Sequence, residues 1–502
     1  MIRIPKIPAH VDYTIHNLYS GMPKTVFSPK NGMNAYKAVN DDYTVTVNGQ
    51  ECPVHECRVS AMPFNRVWPG KQRPLDQTES AGFVSFSADE EVTLRVKRNT
   101  PYKSAVVRPL SKKVETVIKN DEIVFTLSHH GQYVLELDDY HNVLHIFFNK
   151  IKKYPDAEKA TYYFGPGLHY PGTVTLKDND TVYVDEEAIV FGSIYTLGAK
   201  NIKVYGGGII DNSNEERLIE HCYENVTKGT FRIYGSENVT VEDVIFTNSS
   251  TWIMSMFYCN NVKIDNVKLV GHWRYNTDGI DICNTSNVTV TNSFVRAFDD
   301  VITIKGIYRY DRTPIENITV DNCVLWCGWG NTCEIGIETQ TREYRNITFR
   351  NCDVIHASGP ALSIPNGNYA YVHDVTYENM NVEFQSYSLP EVYQDSDDKV
   401  YNPNESAFAH LFIHADNGNY NFPEDLDNSC GIFCRISDIL YKNVNAYTDS
   451  PDIKPIIRII NNVPKVSFSG FIIDGLYLNG EKQNDYSNFT MIIRNAPEPE
   501  LK

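Results

Sequence analysis

Three carboxylates carry the chemistry this chain could do. Asn276-Thr277-Asp278-Gly279 is followed, one short repeat later, by Asp299-Asp300. Both pieces lie in alternating, strand-like sequence, where Asp fits poorly and neighbouring carboxylates repel. Such a cluster serves turn geometry, metal binding or acid/base catalysis, and the spacing alone leaves all three open. Trp252, His272, Trp273, Arg274 and Tyr275 flank it on one side, and Lys305 lies on the other. Aromatic faces stack on sugars and Arg or Lys hold hydroxyls, although Trp252 and Trp273 could equally pack between repeats. Glu334 and Glu338 alternate along a strand and so share a face with each other.

The elements that must position these groups are repeats. Asn238-Val-Thr-Val, Asn261-Val-Lys-Ile, Asn287-Val-Thr-Val, Asn317-Ile-Thr-Val, Asn346-Ile-Thr-Phe and Asp374-Val-Thr-Tyr begin 23, 26, 30, 29 and 28 residues apart. A recurrence of this length means stacked units. Each unit alternates with period two and turns at Asn, with no 3.6-residue stripe. The spacing predicts one coil per repeat of a right-handed parallel β-helix. Asp278 and Asp299 are 299 − 278 = 21 residues apart, about one coil. Coils stack ~4.8 Å apart, so the three carboxylates fall on one face and their crowding raises at least one pKa. The second Asn of each unit (Asn266, Asn292, Asn322, Asn351, Asn379, Asn443) suits a left-handed turn and an internal amide ladder.

Residues 1–160 lack the repeat and read as an antiparallel β-sandwich, from runs such as Tyr43-Thr-Val-Thr-Val and Val92-Thr-Leu-Arg-Val. Residues 161–502 are the expected β-helix, interrupted at about 384–432 by a polar, aromatic insertion that could form a lid.

Composition narrows the partners. A net charge of −17 opposes nucleic acid as a partner. No stretch approaches a membrane span, and the opening MIRIPKIPAHVDYTIHN has no signal-length apolar run. The expected location is cytoplasmic, or secreted if a leader was trimmed. The 11 Cys are scattered and odd in number, so they read as buried thiols, although Cys52 and Cys57 could pair. Cys323, Cys327 and Cys333 fit a zinc site poorly. No cofactor or metal is expected, and the oligomeric state stays open.

Asn276-Thr-Asp-Gly-Ile-Asp281 with Asp299-Asp-Val-Ile-Thr-Ile-Lys305, together with the Gly206-Gly-Gly coil and Ser249-Ser-Thr-Trp252, resembles the β-helical inverting glycoside hydrolases. The closest pattern is the polygalacturonases of family 28, and the dextranases of family 49 share the three-Asp arrangement and an N-terminal β-sandwich. The resemblance covers roughly residues 160–380. It implies Asp299 as general acid, Asp278 and Asp300 as holders of the attacking water, Asn276 orienting Asp278, and Lys305 facing the groove. Asp281 reads as a turn residue. Tyr308, Tyr310 and Arg312 could shape a subsite.

The sequence departs from the family in two places. Asn331, in Gly330-Asn-Thr-Cys-Glu-Ile-Gly336, stands where the polygalacturonases carry His. Their Arg-Ile-Lys carboxylate clamp has no counterpart at Ala361-Leu-Ser-Ile-Pro365. The expected substrate is therefore either a neutral glucan or a uronide oligosaccharide or polysaccharide. A polysaccharide lyase or epimerase, a calcium-binding Asp cluster, and a non-catalytic glycan-binding solenoid are the rival readings.

Overall fold

The computed structural model describes residues 1–8, 12–13, 36–37, 39–60, 78–213, 215, 229–311, 313–387, 410–418, 434–463 and 466–502. From Tyr162–Phe164 to Glu500–Leu501, 32 strands follow one another in a single ladder that is parallel almost throughout. It is a right-handed β-helix. One coil shows the plan: Ile280–Cys283, then Ser286–Thr291, then Phe294–Ala297. Each strand pairs in register with its counterpart one coil on, as Ile280 does with Ile302, Val288 with Ile318 and Phe294 with Val324. Three strand rows thus make three faces, and their inward Val, Ile, Leu and Cys side chains fill one continuous core.

The turns follow the sequence. Asn266, Asn292, Asn322, Asn351, Asn379 and Asn443 all have φ between 50° and 55°, a region Asn tolerates better than other non-glycine residues. Their amides link coils, with Asn322 Nδ2 donating to Asn292 Oδ1 at 2.7 Å and Asn379 Nδ2 to Asn351 Oδ1 at 2.9 Å. This ladder runs along the exposed rim of the turns, not inside the coil as the sequence suggested.

The amino-terminal residues form two main sheets with a shared core that includes Val45, Leu94, Phe125, Leu135 and Ile146. Pairing is antiparallel except between Thr78–Ala88 and Asp139–Asn149, which run parallel. The other side of this second sheet, through Phe83, Val134 and Phe147, packs on the third face of the helix at Ile245, Phe294 and Trp326. A buried polar knot fastens the contact: Arg108 Nε donates to Glu136 at 2.6 Å, its Nη1 contacts Glu383, and His356 contacts Glu136.

The insertion is narrower than expected. Leu411–Asn417 is an ordinary coil strand, paired with Leu362–Asn366 before it and Ile456–Ile460 after it. The stretches on either side, 388–409 and 419–433, carry the lid reading and lie outside the described residues, as do the side chains of Tyr308, Tyr310 and Arg312. The nine described cysteines, Cys52 and Cys57 included, are all free and buried. Among the described residues no helix is long and apolar enough to cross a membrane.

Candidate active site

The three aspartates gather where the third row hands over to the first. Ile253 N donates to Asp278 O, Gly279 N to Asp300 O, and Val301 N to Asn331 O. Asp278, Asp300 and Asn331 therefore occupy one rung on successive coils, with Asp299 one residue earlier. Gly279 permits this approach, since a Cβ there would lie 2.2 Å from Val301 O.

Lys305 sits at the centre. Its ammonium is 2.8 Å from Asp278 Oδ2, 3.0 Å from Asp281 Oδ1 and 3.4 Å from Asp300 Oδ2, and it lies 4.4 Å from the centre of the Trp252 ring. Its side chain is 3% exposed, so the groove-facing role expected of it is replaced by that of a buried counter-ion. Burial works against the ammonium, and the surrounding carboxylates more than offset it, holding its pKa well above the usual value.

One cation cannot neutralise every acid here. Burial drives Asp299 well above the ordinary Asp range, and repulsion from Asp278 and Asp300 adds to it. Asp278 also rises through burial, against the pull of Lys305, and its Oδ1 is buried without a hydrogen bond. Asp281 goes up to about 6, first through burial. Within the trio, Asp278 and Asp300 lie within contact distance of the Lys305 ammonium and Asp299 does not.

Several residues sit differently from the sequence reading. Asp281 is no turn residue: it lies in strand Ile280–Cys283, fully buried, ion-paired to Lys305. Asn276 Nδ2 donates to Asp299 Oδ2 at 3.4 Å, where Asp278 was the expected partner. Arg274 is buried, donating to Asn248 O and Ser249 O and stacking on Trp273, which makes it a brace for the loop. Trp252 and Trp273 are both buried. Asn331 does meet the site: its backbone N–H and Nδ2 both donate to Asp300 Oδ1, at 2.9 and 3.4 Å, and Nδ2 also donates to Glu334 Oε1 at 2.9 Å. Glu334 is fully buried, which pushes its pKa well up, whereas Glu338 is partly buried.

Sequence reasoning named Tyr275, Asp281 and Glu334 but missed the two groups they belong to. Tyr275, Phe298 and Trp329 form an aromatic cluster beside the aspartates, Phe298 and Trp329 stacking at 5.6 Å. The register of the repeat offered a signal, since Phe298 and Trp329 precede Asp299 and Gly330 on adjacent coils. The second group is a polar row: Asp281 pairs with Thr303, then Glu334, Ser363, His414 and Arg458 follow one coil at a time.

Residues 159–411, half of the chain, match glycosyl hydrolases family 28, and the chain belongs to that family. The chain spans less than two thirds of the length of the curated relatives it matches. It is 28% identical over 158 residues to rhamnogalacturonase B of Aspergillus niger, covering 32% of this chain and 26% of that protein. It is 26% identical over 282 residues to an exopolygalacturonase of Cochliobolus carbonum, covering 49% and 60%. Its fold is shared with Dex49A from Penicillium minioluteum, at a TM-score of 0.61 and 14% identity over 90% of this chain and 92% of that one.

Proposed function

We propose that the chain hydrolyses a pectic glycan with inversion, using Asp299 as general acid and Asp278 with Asp300 to hold and activate the attacking water. The observation that carries this is the asymmetry around Lys305. Asp278 and Asp300 contact the ammonium, whereas the Asp299 carboxylate accepts N–H groups from Asn276 and its neighbour Asp300. Carboxyl groups whose surroundings push their proton affinities apart divide into acid and base. Inversion needs the two ~6.5–9.5 Å apart, with water between them, and placement on adjacent coils suits this. The Tyr275–Phe298–Trp329 cluster supplies apolar surface for sugar rings.

The substrate class comes from the relatives: the two matched fungal proteins are named as a rhamnogalacturonase and an exopolygalacturonase. Those names lend no support to the cytoplasmic expectation. The calcium and lyase reading is disfavoured because Lys305 already places a fixed positive charge among the carboxylates.

The test is a panel of rhamnogalacturonan, galacturonan and dextran oligosaccharides, with the product anomer read by proton NMR. The expected product is a hydrolysed pectic fragment released with inverted configuration. Asp299→Asn should cut turnover by about 10²–10⁴-fold with folding intact. Retained activity in that variant, or an unsaturated, ultraviolet-absorbing product, would sink the assignment.

A further inference from the structure

The polar row beyond the aspartates is joined by side-chain hydrogen bonds. Asn331 donates to Asp300 Oδ1 through both its backbone N–H and Nδ2. Ser363 Oγ donates to Asn331 Oδ1 at 3.1 Å. His414 Nδ1 lies 3.0 Å from the same Ser363 Oγ. Arg458 Nη1 at 3.4 Å and Asp416 Oδ2 at 3.3 Å close the far side of the ring at Nε2. Ser363 and His414 are buried, 0% and 4% exposed.

Directionality follows from proton counting. A hydroxyl has one proton to give. Ser363 spends it on Asn331 Oδ1, so its oxygen is left to accept, and the relay requires the His414 tautomer with its proton on Nδ1. The opposite amide orientation of Asn331 would aim its oxygen at Asp300 and Glu334, two carboxyl groups that it now serves as donor. Ser363 therefore selects the amide orientation, and His414 selects the hydroxyl orientation.

We propose that Ser363 and His414 are positioning residues for the hydrolytic reaction, holding Asn331 so that its two N–H groups fix the plane of the Asp300 carboxylate. This rests on the reading of Asp300 as a water-holding group. One oxygen of Asp300 is then tied to Asn331 and the other faces Lys305 at 3.4 Å, which leaves little freedom for rotation. The departure from the family pattern at position 331 acquires a purpose: an amide needs an external group to choose its orientation, and Ser363, 32 positions on, and His414, a further 51 positions on, supply it.

The experiment is steady-state kinetics on a cleaved oligosaccharide from the panel above. Ser363→Ala should lower kcat by about 10- to 100-fold, in the range of a slight misplacement of a reacting group, with KM within twofold. Ser363→Thr, which keeps the hydroxyl on a strand-compatible side chain, should recover most of it. His414→Asn retains a donor near Nδ1 and should outperform His414→Leu at equal urea midpoints. Asp300→Asn is run alongside. If it retains activity, the reading of Asp300 fails. If it is inactive while Ser363→Ala keeps kcat within twofold, or while the two His414 variants are alike, the relay is refuted on its own.

Discussion

Lys305→Met isolates the charge balance of the site. The native ammonium is 2.8, 3.0 and 3.4 Å from three carboxylates. At an effective dielectric of about 20, each contact is worth about 5–6 kcal/mol before desolvation. Desolvation cancels much of this, and removing one partner from a buried ion group typically costs about 3–5 kcal/mol. Methionine keeps the length and removes the charge, so the stranded carboxylates must take up protons. A carboxyl whose folded pKa lies above its unfolded value stabilises fully below the unfolded value and loses that contribution as pH rises through the folded one. Asp281 already stands near 6 against an ordinary 3.8 with Lys305 present, a difference of about 2 units or about 3 kcal/mol. Without Lys305 the acids move higher still. The variant should be less stable than the native chain by about 3–5 kcal/mol at pH 8 and by only about 1 kcal/mol at pH 5. Urea titrations at both pH values measure it, with the fluorescence of Trp252, which contacts Lys305, as reporter. Activity should fall by at least about 100-fold at pH 7, because Asp278, deprived of the cation that opposes its protonation, is then a poorer base. An equal loss of stability at pH 5 and pH 8 would refute the reasoning.

Two further substitutions probe the framework. Arg108→Met strands Glu136, which is 2% exposed, and Glu383, which is 1% exposed, between the amino-terminal sheet and the helix; a loss of about 3–5 kcal/mol with kcat unchanged at low temperature is expected from denaturation and rate measurements. Gly279→Ala places a methyl 2.2 Å from Val301 O; the coils must part, and kcat should fall by at least about 10-fold even at temperatures where circular dichroism is native.

The solenoid was legible because its signal repeats: period-two alternation and Asn turns recur coil after coil, and each copy reinforces the others. The gathering of Asp278, Asp299 and Asp300 followed from coil spacing alone. Individual contacts did not, since they depend on side-chain direction, and neither the burial of Lys305 nor the turn of Asn276 toward Asp299 is encoded in spacing. Asp281 was misread because a motif rich in Asn, Asp and Gly looks like a turn, whereas Ile280 and Ile282 carry it into a strand. The link from Asn331 to His414 was hidden by distance, as residues 388–409 intervene between Ser363 and His414 and break the period just where the next coil was due.

The acidity of the groove bears on substrate charge. Counted along the sequence, Asp278, Asp281, Asp299, Asp300, Glu334 and Glu338 stand against one lysine, a floor that would repel a polyuronide. Burial changes that count. Asp278, Asp299 and Glu334 are all pushed well above the ordinary carboxyl range, chiefly by loss of solvent, and Asp281 to about 6. A carboxyl deprived of solvent gives up its proton less readily, so the field presented to a ligand is weaker than the residue tally. The acidic composition therefore no longer argues against a uronide. What remains absent is a clamp at Ala361–Pro365, where Ser363 now has another role. A charged sugar ring must then be gripped elsewhere, and comparing cleavage of a galacturonan oligomer with that of its carboxyl-reduced counterpart measures how much of the binding the carboxylate provides.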